Sequence, residues 1–393
     1  MTTDVLVQGG SVLPFCRRKD GSGLRDWARQ AAREALSDAR LSMADIDAVV
    51  VGYESDHLAL QLSLGALLCD EIGAVPRGLQ RVESGGASGA AAVRAGYLQI
   101  KAGAARSVLA LGIEQAASHL ASEDVGFLYG LSFDADFEGY AGATAPALYA
   151  LSIAEHMALF GTSEEDMALV SVKNFENAAD NPWAHRRRPV TVDQVLGSPF
   201  VSAPYKRLDC SPLSDGTAAV ILAAADWAPE VARPRVRLAA SACATDHVRL
   251  GDRAAIHRFA AKAMAADACY RQAGIADPFQ ALACAELYDA FSGAELQAVE
   301  DLGLATPGKA ATRLKEGCFD ADGELPINVS GGLIGQGAAP GATGVAQVVT
   351  AERILTGRYW RAVEAAASRR FALTEAHGGI GTVSIVHVLE RTA

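Results

Sequence analysis

Residues 46–52 (IDAVVVG), 107–112 (SVLALG) and 218–223 (AAVILA) are short apolar runs with no polar alternation. A strand with one face in water alternates. A run that does not alternate must be covered on both faces, as in parallel sheets flanked by helices. Further strands are expected at 4–7, 78–83, 236–241, 281–288, 327–329, 371–376 and 383–389. Between them lie helical stretches at 24–39, 58–72, 87–102, 254–273, 291–302 and 344–355. Strand and helix alternate, so the chain is α/β. Aromatics make up only 6% of the 393 residues, while glycine alone supplies 38. The helices are therefore expected to lie close to the strands, with small residues at the contacts.

From 115 to 207 the alternation breaks down. This segment is expected to form a loop domain laid over the first sheet, and loops of that length usually carry function. Residues 227–234, with two prolines, read as a junction. The expected organisation is 1–114 with 208–230 as one half, 115–207 as the inserted loop domain, and 231–393 as a second α/β half. One echo links the halves. Ser84-Gly85-Gly86 and Ser330-Gly331-Gly332 each precede a helix of small residues.

Net charge is −11, which excludes general binding to a phosphate backbone, since that needs a basic face. No apolar run approaches the ~20 residues of a membrane span. The first 30 residues lack the apolar centre of a signal peptide. These features point to a cytoplasmic protein without a membrane span. The seven cysteines (16, 69, 210, 243, 269, 284, 318) have no C-x-x-C pair, so neither a disulfide framework nor a metal site is expected. Buried, reduced thiols are the expectation, with Cys210 and Cys284 packed in the core.

Seven segments, in order, resemble the thiolase superfamily, and within it the branch related to the sterol-carrier-protein type. They are the opening strand–helix–strand ending in IDAVVVG, RVESGGASGAAAVRAGYLQI (81–100), VKNFENAADNPWA (172–184), LDCSPLSDGTAAVILA (208–223), AELYDAF (285–291), NVSGGLIGQGAAPGATGVAQVV (328–349) and HGGIGTVSIVHVLE (377–390). The resemblance implies two similar βαβαβαββ halves in a five-layer α-β-α-β-α sandwich. It also implies a homodimer and an acyl-CoA substrate, with coenzyme A entering as part of the substrate and no covalently bound cofactor.

The departures from the family pattern bear on the chemistry. The family's nucleophile is a cysteine opening the helix after the third strand, where the helix N-terminus lowers a thiol pKa. Here Gly86 holds that position. Ala338 replaces the histidine of the G-H-P-x-G element, and Tyr288 replaces that of the H-D-A-F type segment. Ala376 stands where a C-terminal cysteine or asparagine precedes a glycine pair. An acyl-cysteine route at the usual site is therefore not expected.

Ser84 and Ser88 flank the gap but lack a neighbouring base, so a structural role is expected for them. Tyr288 either donates to an oxygen, takes a proton if its pKa is depressed, or fills the space of the lost imidazole. His377, one residue past the family's functional position, is a candidate acid–base, and Asp289 a candidate beside Tyr288. Gly86, Ser330, Gly331, Gly378 and Gly379 are the candidates for contact with the thioester, the last pair through an oxyanion hole. Asn174, Asn177 and Asn181 match a motif near the pocket. Arg186–Arg188 either face CoA phosphates or form a solvated surface.

One group within the superfamily lacks the cysteine, carries tyrosine in a Y-D-x-F segment, and cleaves β-hydroxyacyl-CoA by retro-aldol chemistry with a small OB-fold partner protein. That group also uses a second tyrosine near the G-H-P position, where this chain has Ala338. The alternatives are a catalytically inactive acyl-CoA-binding scaffold and an acyltransferase with a relocated nucleophile.

Overall fold

The computed structural model describes residues 3–18 and 20–392. Nine strands form the main sheet: β1 (Val5–Val12), β2 (Ala48–Gly52), β3 (Gly78–Val82), β4 (Ser107–Gln115), β5 (Asp215–Ala224), β6 (Val236–Thr245), β7 (Leu282–Glu286), β8 (Phe371–Gly378) and β9 (Val383–Arg391). Their order is β3-β2-β4-β5-β1-β6-β9-β8-β7. A single pairing, Leu6 with Arg237, joins β1 to β6 and separates two halves of like design.

In the first half, β2 runs parallel to β3 and β4, while β4–β5 and β5–β1 are antiparallel. In the second half, β8 runs parallel to β7, and β8–β9 and β9–β6 are antiparallel. Residues 327–329 do not form a full strand. Ile327 makes one parallel bridge to Ala285, at the place where β3 sits in the first half. Each half therefore follows the same strand plan.

Helices fill three further layers, giving the expected five. On the outside of the first half lies α1 (Leu24–Ala39), which buries Trp27, Ala28, Ala31, Ala32, Ala35 and Ala39 along one stripe. Between the two sheet halves lie α2 (Ser88–Lys101) and its counterpart in the second half, Pro340–Leu355. Gly89 and Gly344 set how close these two come. A Cβ on Gly89 would sit 2.5 Å from the Gly341 carbonyl, and one on Gly344 would sit 2.3 Å from the Ala90 nitrogen. The Pro340–Leu355 helix is apolar nearly all round because it is enclosed nearly all round. On the far side of the second half, Ala260–Ala273 packs against β6 and β9 through Ala261, Ala265 and Cys269.

Two expectations change. Residues 58–72 are not one helix but two short ones, Asp56–Ala59 and Leu64–Glu71, separated by left-handed backbone at Leu60 and Ser63. Residues 115–207 are largely helical rather than a loop: α3 (Ala145–Phe160) and α4 (Glu164–Ala179) each span 16 residues, and Ser122–Gly130 adds a third helix. The sequence of α3 (APALYALSIAEHMALF) has no polar stripe, so it carries no helical period to read. Helix α4 opens on a capping box formed by Ser163 and Asp166.

Candidate active site

The loops following β2 and β7, the turn after β3 and the end of β8 meet beneath the inserted helices. This places the site at the C-terminal ends of parallel strands, where open α/β sheets gather ligands. There they enclose a cavity of about 450 Å3. Gly86, Tyr288, Ala338, His377 and Gly379 all lie on its wall. Ala376 packs just behind, in a small cluster with Ala87 and Tyr288. The four positions at which the family motifs are altered thus come together in space.

Gly86 and Tyr288 are coupled by volume. A Cβ on Gly86 would stand 2.5 Å from the Tyr288 hydroxyl, 2.8 Å from its Cζ, and 2.5 Å from the His377 carbonyl. The tyrosine hydroxyl therefore projects into the space a side chain at position 86 would enter. Gly378 is held as tightly, since a Cβ there would lie 2.1 Å from the Ser84 carbonyl. The 84–86 turn and the 377–379 segment pack backbone to backbone, which only glycine permits.

Burial first, then the nearby Glu54, pushes the Tyr288 hydroxyl well above its ordinary pKa. The hydroxyl is therefore protonated at neutral pH and able to donate a hydrogen bond. His377 is fully buried. Its Nδ1 meets Glu375 at 3.1 Å and its Nε2 meets the Tyr149 hydroxyl at 2.5 Å. Burial and the Lys262 ammonium depress its pKa to about 4, so the ring is neutral at neutral pH. Glu375 lies 3.3 Å from Lys262 and is held below the usual carboxylate range by Lys262 and His377 against the cost of burial. An ionised Glu375 can only accept, so Nδ1 carries the ring proton and Nε2 accepts from Tyr149. Both ring nitrogens are engaged within the protein, and the partner of Nε2, Tyr149, also lines the cavity.

Four expected site residues lie off the cavity wall: Gly378, which packs against the Ser84 carbonyl, and Asp289, Ser330 and Gly331. Asp289 is completely buried and accepts from the backbone N–H of Leu333 (2.6 Å) and from Asn174 Nδ2 (2.8 Å). It caps the 332–336 turn and does not face the chemistry. Ser330 donates to Glu286 and lies in the same frame. Gly331 packs against Ala178 and the Asn174 carbonyl with a positive φ of 98°. The asparagines of α4 and the loop after it complete the clamp. Asn177 donates to the Asn328 carbonyl (3.0 Å) and Asn181 to the Ser330 carbonyl (2.7 Å). Ser88 is likewise committed, donating to the Gly85 carbonyl at 2.7 Å and accepting from the Ser84 N–H at 3.0 Å. Arg186–Arg188 border a separate, open depression of about 580 Å3.

Every cysteine is pushed above its ordinary pKa, with burial the leading cause. Among the described residues, Cys210 is the one thiol on the cavity wall, and it is pushed up to about 12.

One wall residue escapes sequence reasoning altogether. Glu54 follows β2 by two residues and turns its carboxyl group into the cavity. Its Oε1 accepts from the Ser132 hydroxyl at 2.8 Å, while its buried Oε2 has no partner among the described residues. Burial raises its pKa to about 7, with repulsion from Glu83 adding to the effect. The available signal was its place in VVVGYE, the first acid after a doubly covered strand.

Two like α/β halves packed about two central helices are the plan of a thiolase-type fold, and the comparisons agree on the fold. The thiolase N-terminal domain model matches residues 17–203, and the thiolase C-terminal domain-like model matches residues 242–391. The acetyl-CoA acetyltransferase of Methanothermobacter thermautotrophicus is 37% identical over 390 residues, covering 99% of this chain and all of that one. Sterol carrier protein 2 of Gallus gallus is 30% identical over 364 residues, 88% of this chain and 65% of that one. Among solved structures, the Ltp2-ChsH2(DUF35) aldolase superposes with a TM-score of 0.82 at 22% identity, over 99% of this chain and 98% of that one. A monomeric SCP2-thiolase-like protein of Mycobacterium smegmatis superposes with a TM-score of 0.75 at 22% identity, over 100% and 77%. At that identity the two structures speak for the fold alone. The chain belongs to the thiolase family. Among the described residues, no helix is long and apolar enough to cross a membrane.

Proposed function

We propose that this protein is a thiolase-family C–C lyase that cleaves a β-hydroxyacyl-CoA without an acyl-cysteine. The observation that carries the reading is the Tyr288 hydroxyl, which stands where a side chain at position 86 would project. A donor has taken the place of a nucleophile, and retro-aldol cleavage needs a donor there and no nucleophile. The β-hydroxyl loses its proton, and the bond between the α- and β-carbons breaks. Its electron pair passes into the thioester enolate, and the α-carbon then takes up a proton. The products are an aldehyde or ketone and a shortened acyl-CoA. Tyr288, kept protonated by burial, donates to the enolate oxygen beside the backbone of Gly86 and Gly379.

Support for this reading also comes from the thiols, which burial holds in the protonated, unreactive form, against a relocated cysteine. The family resemblance implies a small partner protein of OB-fold type, and the Ltp2-ChsH2(DUF35) aldolase, whose fold this chain shares, is in keeping with a partner. A homodimer is proposed on the family resemblance. The test is incubation of the protein, with any such partner, with a β-hydroxyacyl-CoA, and detection of the carbonyl product. Loss of one donor to a developing oxyanion typically lowers kcat by ~100-fold or more, and Tyr288→Phe is expected to do so. Full activity in Tyr288→Phe would remove the tyrosine from the mechanism.

A further inference from the structure

We propose that the carboxyl group of Glu54 is the acid–base of this cleavage, taking the β-hydroxyl proton of the acyl-CoA and returning it to the α-carbon. The inference rests on the lyase reading above and names the group that reading lacks. The titratable side chains on the cavity wall are Glu54, Tyr129, Tyr149, Cys210, Tyr288 and His377. Burial holds the three tyrosines and the cysteine protonated at neutral pH. His377 spends both ring nitrogens on Glu375 and Tyr149. Glu54 remains, with one oxygen fixed by Ser132 and the other buried without a partner.

The surroundings suit a group that must both take and give a proton. Glu83 adds like charge to the effect of burial on Glu54, while the neighbouring Glu114 is itself pushed well above the usual carboxylate range by burial and by Glu54. Glu114 also accepts the backbone N–H of Glu54 at 2.7 Å, which fixes the loop. Arg81 reaches the Glu54 carbonyl at 3.3 Å rather than its carboxylate. Tyr129 and Tyr288 face it across the cavity, both as protonated hydroxyls. Among the described residues, no ion pair locks the carboxylate in its charged form. A carboxyl group poised about neutrality meets the requirement for proton transfer in both directions.

The proton balance closes on this one residue. Ionised Glu54 takes the β-hydroxyl proton as the carbon–carbon bond breaks and its electron pair enters the enolate. The neutral carboxyl then protonates the α-carbon, which restores the carboxylate. No oxidant, metal or further reactant is required.

The test is kcat/KM for carbonyl formation from 3-hydroxyacyl-CoA esters of increasing chain length, measured from pH 5.5 to 8.5. Wild type, Glu54→Gln and Glu54→Ala are compared, with acetyl-CoA binding measured by calorimetry in each. In wild type, kcat/KM is expected to climb as pH rises through about 7. Glu54→Gln is expected to lose ~100-fold or more and to lose that limb, with acetyl-CoA still bound. Added formate is expected to restore part of the rate of Glu54→Ala. A wild type that cleaves while Glu54→Gln stays within a few-fold of it would overturn the assignment and leave the lyase reading standing. A flat wild-type profile would do the same without any variant. A wild type that cleaves none of these esters would overturn the lyase reading and this assignment with it.

Discussion

Replacing Gly86 by alanine places a methyl group 2.5 Å from the Tyr288 hydroxyl and 2.5 Å from the His377 carbonyl. Ordinary contact for such an atom begins near ~3.4 Å, so something must yield by roughly 0.9 Å. Tyr288 is poorly placed to do so. Its ring packs edge-on against His377 at 4.7 Å between centroids, and its N–H is bound to Glu375 at 3.2 Å. Overpacking of this size costs about 1–3 kcal/mol. In a Tyr288→His background, the hydroxyl and Cζ are gone and the imidazole stops short of position 86. Of the three nearest contacts, the one with the His377 carbonyl then remains. Gly86→Ala should be cheaper in that background by about 1–2 kcal/mol, a coupling typical of residues in contact. The assay is urea unfolding of wild type, both single variants and the double variant. If the two costs add to within about 0.5 kcal/mol, Tyr288 does not occupy the space at position 86, and the two positions do not exchange volume.

Lys262→Met strands the buried Glu375 carboxylate and should cost about 3–5 kcal/mol at neutral pH, with less lost in acid as Glu375 protonates. Urea midpoints at pH 4 and pH 7 check it. Tyr149→Phe leaves His377 Nε2 without its donor and should cost about 1–3 kcal/mol, read from the same unfolding curves. Glu54 has its folded pKa raised from 4.5 to about 7, so the folded state holds the extra proton between those values. Its stabilising contribution is therefore full below pH 4.5 and lost as pH rises to about 7, by about 2 kcal/mol once partial exposure to the cavity is allowed for. Glu54→Gln, which does not titrate, should gain stability relative to wild type across that window; a constant difference would contradict the shift. Iodoacetamide at pH 7 should label Cys210 no faster than it labels an unfolded control, and rapid labelling would return a cysteine to the mechanism.

How legible the molecule was depends on whether a residue's role shows in its own neighbourhood. The α1 stripe and the doubly buried strands follow from period alone, and helix α1 has the bounds the sequence implied. The close approach of the two central helices follows from glycine and alanine spacing. By contrast, α3 hides its helix because its burial removes the polar face that period detection needs.

At the site, the four altered motif positions were readable because each sits in a motif with a fixed frame. The frame misleads for Asp289, whose neighbours Tyr288 and Ala290 line the cavity, and for Ser330 and Gly331; all three clamp the turn behind it. Glu54 was invisible for the opposite reason. It stands alone after a strand, and only folding brings it beside Ser132, Tyr129 and Tyr288. Nor could sequence tell whether Tyr288 gives or takes a proton, because burial and the charge of Glu54 decide that.

The central claim is that this cavity breaks a carbon–carbon bond without ever acylating a thiol. Intact-protein mass spectrometry during turnover tests it most directly. The protein is incubated with a β-hydroxyacyl-CoA, the carbonyl product is quantified, and the reaction is quenched in acid to preserve any thioester. Steady release of aldehyde or ketone is expected, with the protein at its unmodified mass throughout. An acyl adduct that forms and decays with turnover, mapped to any of the seven cysteines, would contradict it.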